Sequence, residues 1–151
     1  MQDWKNDARL GQALLRAIRT YDLPLELRLV PEIKISQSQD VNSLYNSPKG
    51  ILSQDTEGIL NFFNLAAEKM FGYTPDEAIG MPSVNLSPPE LREDRKGVFQ
   101  EIVENRIMKE LTTIRLNKAG ERITIHAYIF PYEYLSPGIS FLSIAAIVER
   151  R

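Results

Sequence analysis

The sequence predicts an α+β fold: a five-stranded antiparallel sheet with helices on one face, preceded by an amphipathic helix. Three observations point there. Two short apolar runs, opening at Ile51 and Ile59, flank Asp55-Thr56-Glu57-Gly58 and read as a β-hairpin. Helix start and stop signals then succeed one another from Asn64 to Ile107. Residues 110–117, 122–130 and 139–149 are rich in β-branched and aromatic side chains and read as three more strands.

Taken in order, residues 3–21 place Trp4, Ala8, Leu14, Leu15, Ile18 and Tyr21 at three- and four-residue steps, opposite Lys5, Arg9, Gln12, Arg16 and Arg19. This is an amphipathic helix that needs a surface to lie on. Pro24 and Pro31 break any helix in residues 23–38, which read as a linker or edge strand. Residues 38–46 form a short helix in this reading, with Val41, Leu44 and Tyr45 pinning the linker down. Three divisions follow: an N-terminal helix over 1–22, a linker over 23–48 and a domain over 49–151.

Within the domain, Asp55 and Gly58 have the order of a type I turn, in which Asp bonds the backbone and Gly accepts positive φ. Asn64 is the expected cap of a helix over Leu65 to Phe71, with Glu68 near the capping-box position, and Gly72 stops that helix. Thr74-Pro75-Asp76-Glu77 starts another, which Gly80 ends. Ser87-Pro88-Pro89-Glu90 reads as a third start with Ser87 as cap. Leu91, Val98, Phe99, Ile102, Val103 and Ile107 form its apolar stripe, and the charged run Arg92-Glu93-Asp94-Arg95-Lys96 reads as a solvated face. Asn117-Lys118-Ala119-Gly120 joins the first two of the last three strands. Residues 131–138, with two prolines, read as a fixed loop.

The composition excludes much. Eighteen basic against twenty acidic residues give a net charge of -2, without a basic cluster on any element, so no nucleic-acid partner is expected. No apolar run approaches the ~20 residues of a membrane span, and the first residues are too polar for a signal peptide, so a cytoplasmic protein is expected. Without cysteine there are no disulfides, thiolate metal sites or cysteine nucleophiles. The single histidine, His126, leaves one candidate for imidazole chemistry.

The pattern D-x-E-G…N-x-A-A-E-x-x-F-G-Y-x-x-x-E-x-I-G, carried by Asp55, Gly58, Asn64, Ala66, Ala67, Phe71, Gly72, Tyr73, Glu77, Ile79 and Gly80, resembles the first half of a PAS domain. The resemblance covers about residues 50–151. A narrower likeness to the PAS-like MEKHLA domain rests on Leu44-Tyr45, Ile51-Leu52-Ser53, Asn61-Phe62-Phe63-Asn64, Met81-Pro82-Ser83, the region from Arg92 to Arg95 and Lys118 to Arg122, and extends to the preceding helix. PAS domains are sensory and interaction modules, and the scaffold holds haem, flavins, small acids or nothing, so the resemblance names no cofactor. It implies a ligand cavity between the inner sheet face and the long helix. Haem-binding PAS domains carry a histidine on that helix, and this sequence has none there. Lack of cysteine also excludes a cysteinyl flavin adduct. Where PAS chains often continue into an effector, Val148-Glu149-Arg150-Arg151 stands instead, so a separate effector protein is expected.

Strand alternation sets Ile123, Ile125, Ala127 and Ile129 on the inner face, with Phe99, Ile102 and Val103 opposite. Asn61, Tyr73, Asn85, Thr113, Arg115 and Ser143 are the candidate ligand-reading residues. The outer face, with Thr124, His126, Tyr128 and Phe130, is too aromatic to be left wet, so the N-terminal helix or a second copy should cover it. Trp4, Leu14, Ile18, His126, Tyr128 and Phe130 are therefore the candidate homodimer interface. The expected function is a stand-alone, non-enzymatic sensory or regulatory module that senses a small ligand or mediates protein–protein interaction. The alternative is a small enzyme or metabolite-binding protein using the same cavity, which Arg115 beside a buried carboxylate would favour.

Overall fold

The computed structural model describes residues 8–20, 44–133 and 139–148. Trp4, Tyr21 and nearly all of the expected linker lie outside these residues. Helix α1, Ala8–Thr20, comes first. Strands β1 (Gly50–Gln54) and β2 (Leu60–Phe63) follow, then helices α2 (Leu65–Phe71) and α3 (Pro75–Ala78). Two short 3-10 turns lead into the long helix α4, Arg92–Asn105. Strands β3 (Lys109–Leu116), β4 (Arg122–Tyr132) and β5 (Ser140–Ile147) complete one antiparallel sheet in the order β2-β1-β5-β4-β3.

Both hairpin turns form as their residues predict. The Gly58 amide donates to the Asp55 carbonyl at 3.0 Å, Asp55 Oδ1 accepts from Glu57 and Ile59, and Gly58 has φ +83°. Asn117 plays the same part before Gly120. Thr74 and Glu77 close a reciprocal capping box around α3.

Two expectations about element boundaries change. Ser87 does not cap the long helix: Pro89 holds Pro88 extended at ψ 144°, so a 3-10 turn intervenes and α4 starts behind Leu91 with no side-chain cap. Residues 131 and 132 belong to β4, not to a loop. Pairing with β3 ends at Lys109 opposite Ile129, so Pro131 lies beyond that flank, where a missing N–H is tolerated.

The sheet has two covered faces. Outside, Leu10, Ala13, Leu14 and Ala17 of α1 share a core with Ile51, Phe62, Tyr128, Phe130, Tyr132 and Ile144. Small alanines meeting large rings is the complementarity that close packing needs. Inside, Ile125, Ala127 and Ile129 pack with Phe99 and Ile102 of α4, and with Phe141 and Ala145 of β5. Val103 was expected in this core, but it is 38% exposed at the edge of α4.

Candidate functional site

Two adjoining cavities lie between the inner sheet face and α4. One, of about 30 Å³, is floored by Ile125, Ala127, Ile129 and Ser143. The other, of about 60 Å³, opens between α4 and β3, beside Val98, Leu111 and Thr113. Arg95, Phe99, Arg115 and Ile129 line both. The arginine pair therefore defines the site.

Arg95 points inward from the first turn of α4, its guanidinium 4.4 Å from the centre of the Phe99 ring. Its Nη2 donates to Gln54 Oε1 at 3.1 Å and to Ser83 Oγ. The Ser83 hydroxyl in turn donates to Gln54 Oε1 at 2.6 Å. Arg115 comes from β3, with Nη1 donating to Thr113 Oγ1 at 3.4 Å and to the Ile114 carbonyl at 3.1 Å. All these acceptors are neutral, and neither guanidinium has a carboxylate partner among the described residues. Asp94 stands exposed at the wall of the larger cavity and pairs with neither.

Burial, and then the charge of Arg115, depress the Arg95 guanidinium to about 10; burial lowers Arg115 too. A base whose pKa falls on folding penalises the fold wherever it is charged. The penalty is complete below pH 10 and fades only as pH rises from there towards the unfolded value. Arg95→Met should therefore stabilise the protein at pH 7 by roughly 1 kcal/mol, because it removes an uncompensated buried charge while Ser83 and Gln54 keep each other. Thermal unfolding reads this directly, and a lower melting temperature would make Arg95 a structural residue.

Of the ligand-reading candidates, Thr113, Arg115 and Ser143 line the cavities. The other three do not. Asn61 lies beside the Tyr132 hydroxyl with its Oδ1 buried and unpartnered. Tyr73 packs in the α2–α3 core with Lys118 Nζ 6.0 Å from its ring centre. Asn85 is exposed in a 3-10 turn. Arg95, Gln54 and Ser83 were not among the candidates, although Arg95 had a signal: it stands at i, i+3, i+4, i+7 spacing with Val98, Phe99 and Ile102.

On the outer face, α1 provides the cover. Leu14 and Phe130 have no exposed surface and Tyr128 is 5% exposed, so these three are core of one chain and have nothing left to offer a second copy. Ile18 packs at the margin of the same core. His126 lies beyond it, Nε2 2.8 Å from Glu110 Oε2 and Nδ1 2.9 Å from Thr112 Oγ1; Tyr128 donates to the same Glu110 oxygen at 2.9 Å. The Nε2–H tautomer satisfies both contacts. Among the described residues Arg115 meets no buried carboxylate, the feature that would favour an enzyme. It shares both cavities with Arg95 instead, near enough for its charge to lower the Arg95 pKa.

Solved PAS domains share this architecture. One from Colwellia psychrerythraea matches with a TM-score of 0.68 at 24% identity, over 75% of this chain and 97% of that one. The PAS domain of an HTR-like protein from Haloarcula marismortui gives 0.61 at 16%, over 74% and 91%. A PAS domain from a two-component sensor histidine kinase gives 0.59 at 10%, over 70% and 89%. At these identities the likeness is one of fold. No curated protein matches the chain by sequence. The MEKHLA domain model matches residues 12–131, which take in most of α1 together with both cavity arginines. Most of the outer helix, the arginine pair and four of the five strands thus lie within one matched stretch, and the chain belongs to the MEKHLA domain family, a PAS-like domain family.

Proposed function

We propose that this chain is a cytoplasmic sensory module in which a small molecule in the inner cavities alters how α1 packs on the outer face, and that a separate effector protein reads the change. One observation carries the reading: cavity and helix use alternate residues of the same strands. Ala127 and Ile129 line the cavity while Tyr128 and Phe130 pack under α1; on β5, Ser143 and Ala145 alternate with Ile144. A ligand that displaces one face by a fraction of an ångström moves the other, because close-packed cores transmit strain. The response is a shift between two packings of α1. Among the described residues no helix is long and apolar enough to cross a membrane.

The test needs no ligand. Ser143→Leu adds bulk inside the cavity and leaves every α1 contact chemically unchanged. Amide hydrogen exchange in α1 should change by fivefold or more in that variant, with the rest of the sheet protected. Unaltered α1 exchange in a folded Ser143→Leu protein would remove the proposed link. Sedimentation of both proteins at several concentrations tests the homodimer; with the outer face already covered, a dimer would have to use other surfaces.

A further inference from the structure

We propose that the cavity pair is built for a small organic carboxylate, gripped by the guanidinium forks of Arg95 and Arg115. This rests on the sensory reading above and gives it a ligand class. The first argument is unused donors. Arg95 offers Nε and Nη1, and Arg115 offers Nε and Nη2, to no acceptor among the described residues. A guanidinium carries five N–H donors in a planar fork that matches a carboxylate two bonds at a time.

The second argument is charge. Two mostly buried cations share one site with no carboxylate paired to either among the described residues, Asp94 standing exposed at the wall, and the groups that bond or stack on them are amide, hydroxyl, carbonyl and aromatic. An arginine serving only as structure would be expected to face a carboxylate, as Arg122 and Arg106 do with Glu90 and Glu133 on the surface. Gln54, Ser83 and Phe99 instead fix the Arg95 head group without neutralising it, which preorganises it for an anion from outside.

Size and lining narrow the class. Volumes of 30 and 60 Å³ hold roughly two and roughly four water-sized bodies, at ~15 Å³ each. The non-arginine walls include Ile125, Ala127, Ile129 and Leu111, which favour a carbon skeleton over a fully oxygenated anion. A short acid of about two to four carbons fits, and one with two carboxylates balances both arginines.

Calorimetric titration of the purified chain at pH 7 with malonate, acetate, inorganic phosphate and uncharged malonamide tests the assignment. Malonate is expected to bind saturably at one site per chain and more tightly than acetate, with malonamide silent. Arg95→Met and Arg115→Met should each weaken malonate at least tenfold. In the unaltered protein malonate should also shift two arginine Nε–Hε resonances, a readout that does not depend on either variant folding. Saturable phosphate binding without malonate binding would overturn the carboxylate assignment. Malonamide binding as well as malonate, or variants binding malonate unchanged, would overturn the anion site altogether, as would no saturable binding of any anion. Each of these would leave the coupling of cavity to α1 standing, since the Ser143→Leu exchange experiment involves no ligand.

Discussion

Replacing Asn64 by alanine is expected to cost at least ~3 kcal/mol of stability and to lower the melting temperature by on the order of 10 °C. Asn64 has no exposed surface, and its side chain satisfies four backbone groups from four directions. Oδ1 accepts from the amides of Ile51 and Ala67, each at 2.9 Å. Nδ2 donates to the carbonyls of Leu44 at 3.0 Å and Lys49 at 2.9 Å. The residue thus caps α2, fixes the start of β1 and ties down the helical turn at residues 44–45. Alanine leaves the amides of Ile51 and Ala67 buried without partners and takes one bond each from the carbonyls of Leu44, which keeps the Ser47 amide, and Lys49; an unmade buried hydrogen bond costs more than a made one contributes. Asn64→Asp should do equal or greater harm near neutral pH, where a carboxylate would face two carbonyl oxygens. That carboxyl would have a raised pKa in the fold, so the variant should regain stability as pH falls through it and lose it again as pH rises. A chemical denaturation midpoint for Asn64→Ala within error of the parent protein would refute the keystone role.

Leu14→Ala is expected to cost about 3 kcal/mol, in the range for a fully buried leucine whose cavity cannot close. Leu14 packs between α1 and the aromatic outer face, in one core with Tyr128, Phe130 and Ile144. Leu14→Asp should go further and undock α1, since an unpaired carboxylate cannot stay in that core. Tyr128, Phe130 and Ile144 would then be bared, and a dye that fluoresces on apolar surfaces should report them. If α1 were a dispensable appendage, Leu14→Asp would leave dye fluorescence and melting temperature unchanged.

Much of this architecture was legible in the residues because local rules and packing agree. Asp55 with Gly58, Thr74 with Glu77, and Asn117 with Gly120 satisfy their own backbones within a few positions, so each turn or cap announces itself. Asn64 was readable as a cap, but its bonds to Leu44 and Lys49 span 20 and 15 positions and leave no local trace. Arg115, Thr113 and Ser143 reach the cavities because they pair with Ile123, Ile125 and Ile129 on the inner face. Asn61 does not, because a register shift between Ser53 and Gln54 makes it the extra residue of β2. Asn85 lies in a 3-10 turn whose Ser83 and Leu86 take the inward positions three residues apart. Arg95 was obscured by the charges around it. Only its phase on the helix separates it from Glu93 and Lys96, which pair with each other in solvent.

The central claim is that the two sheet faces act together, and a double-mutant cycle between them tests it most directly. Ile129→Val trims the cavity lining and Leu14→Ala trims the helix interface; the two side chains lie on opposite faces of the sheet, in separate cores. Coupled faces predict that the double variant departs from the sum of the single ones by ~0.5 kcal/mol or more. Additivity within ~0.3 kcal/mol would mean that the strands do not carry a change in the cavity to α1, and would contradict the account.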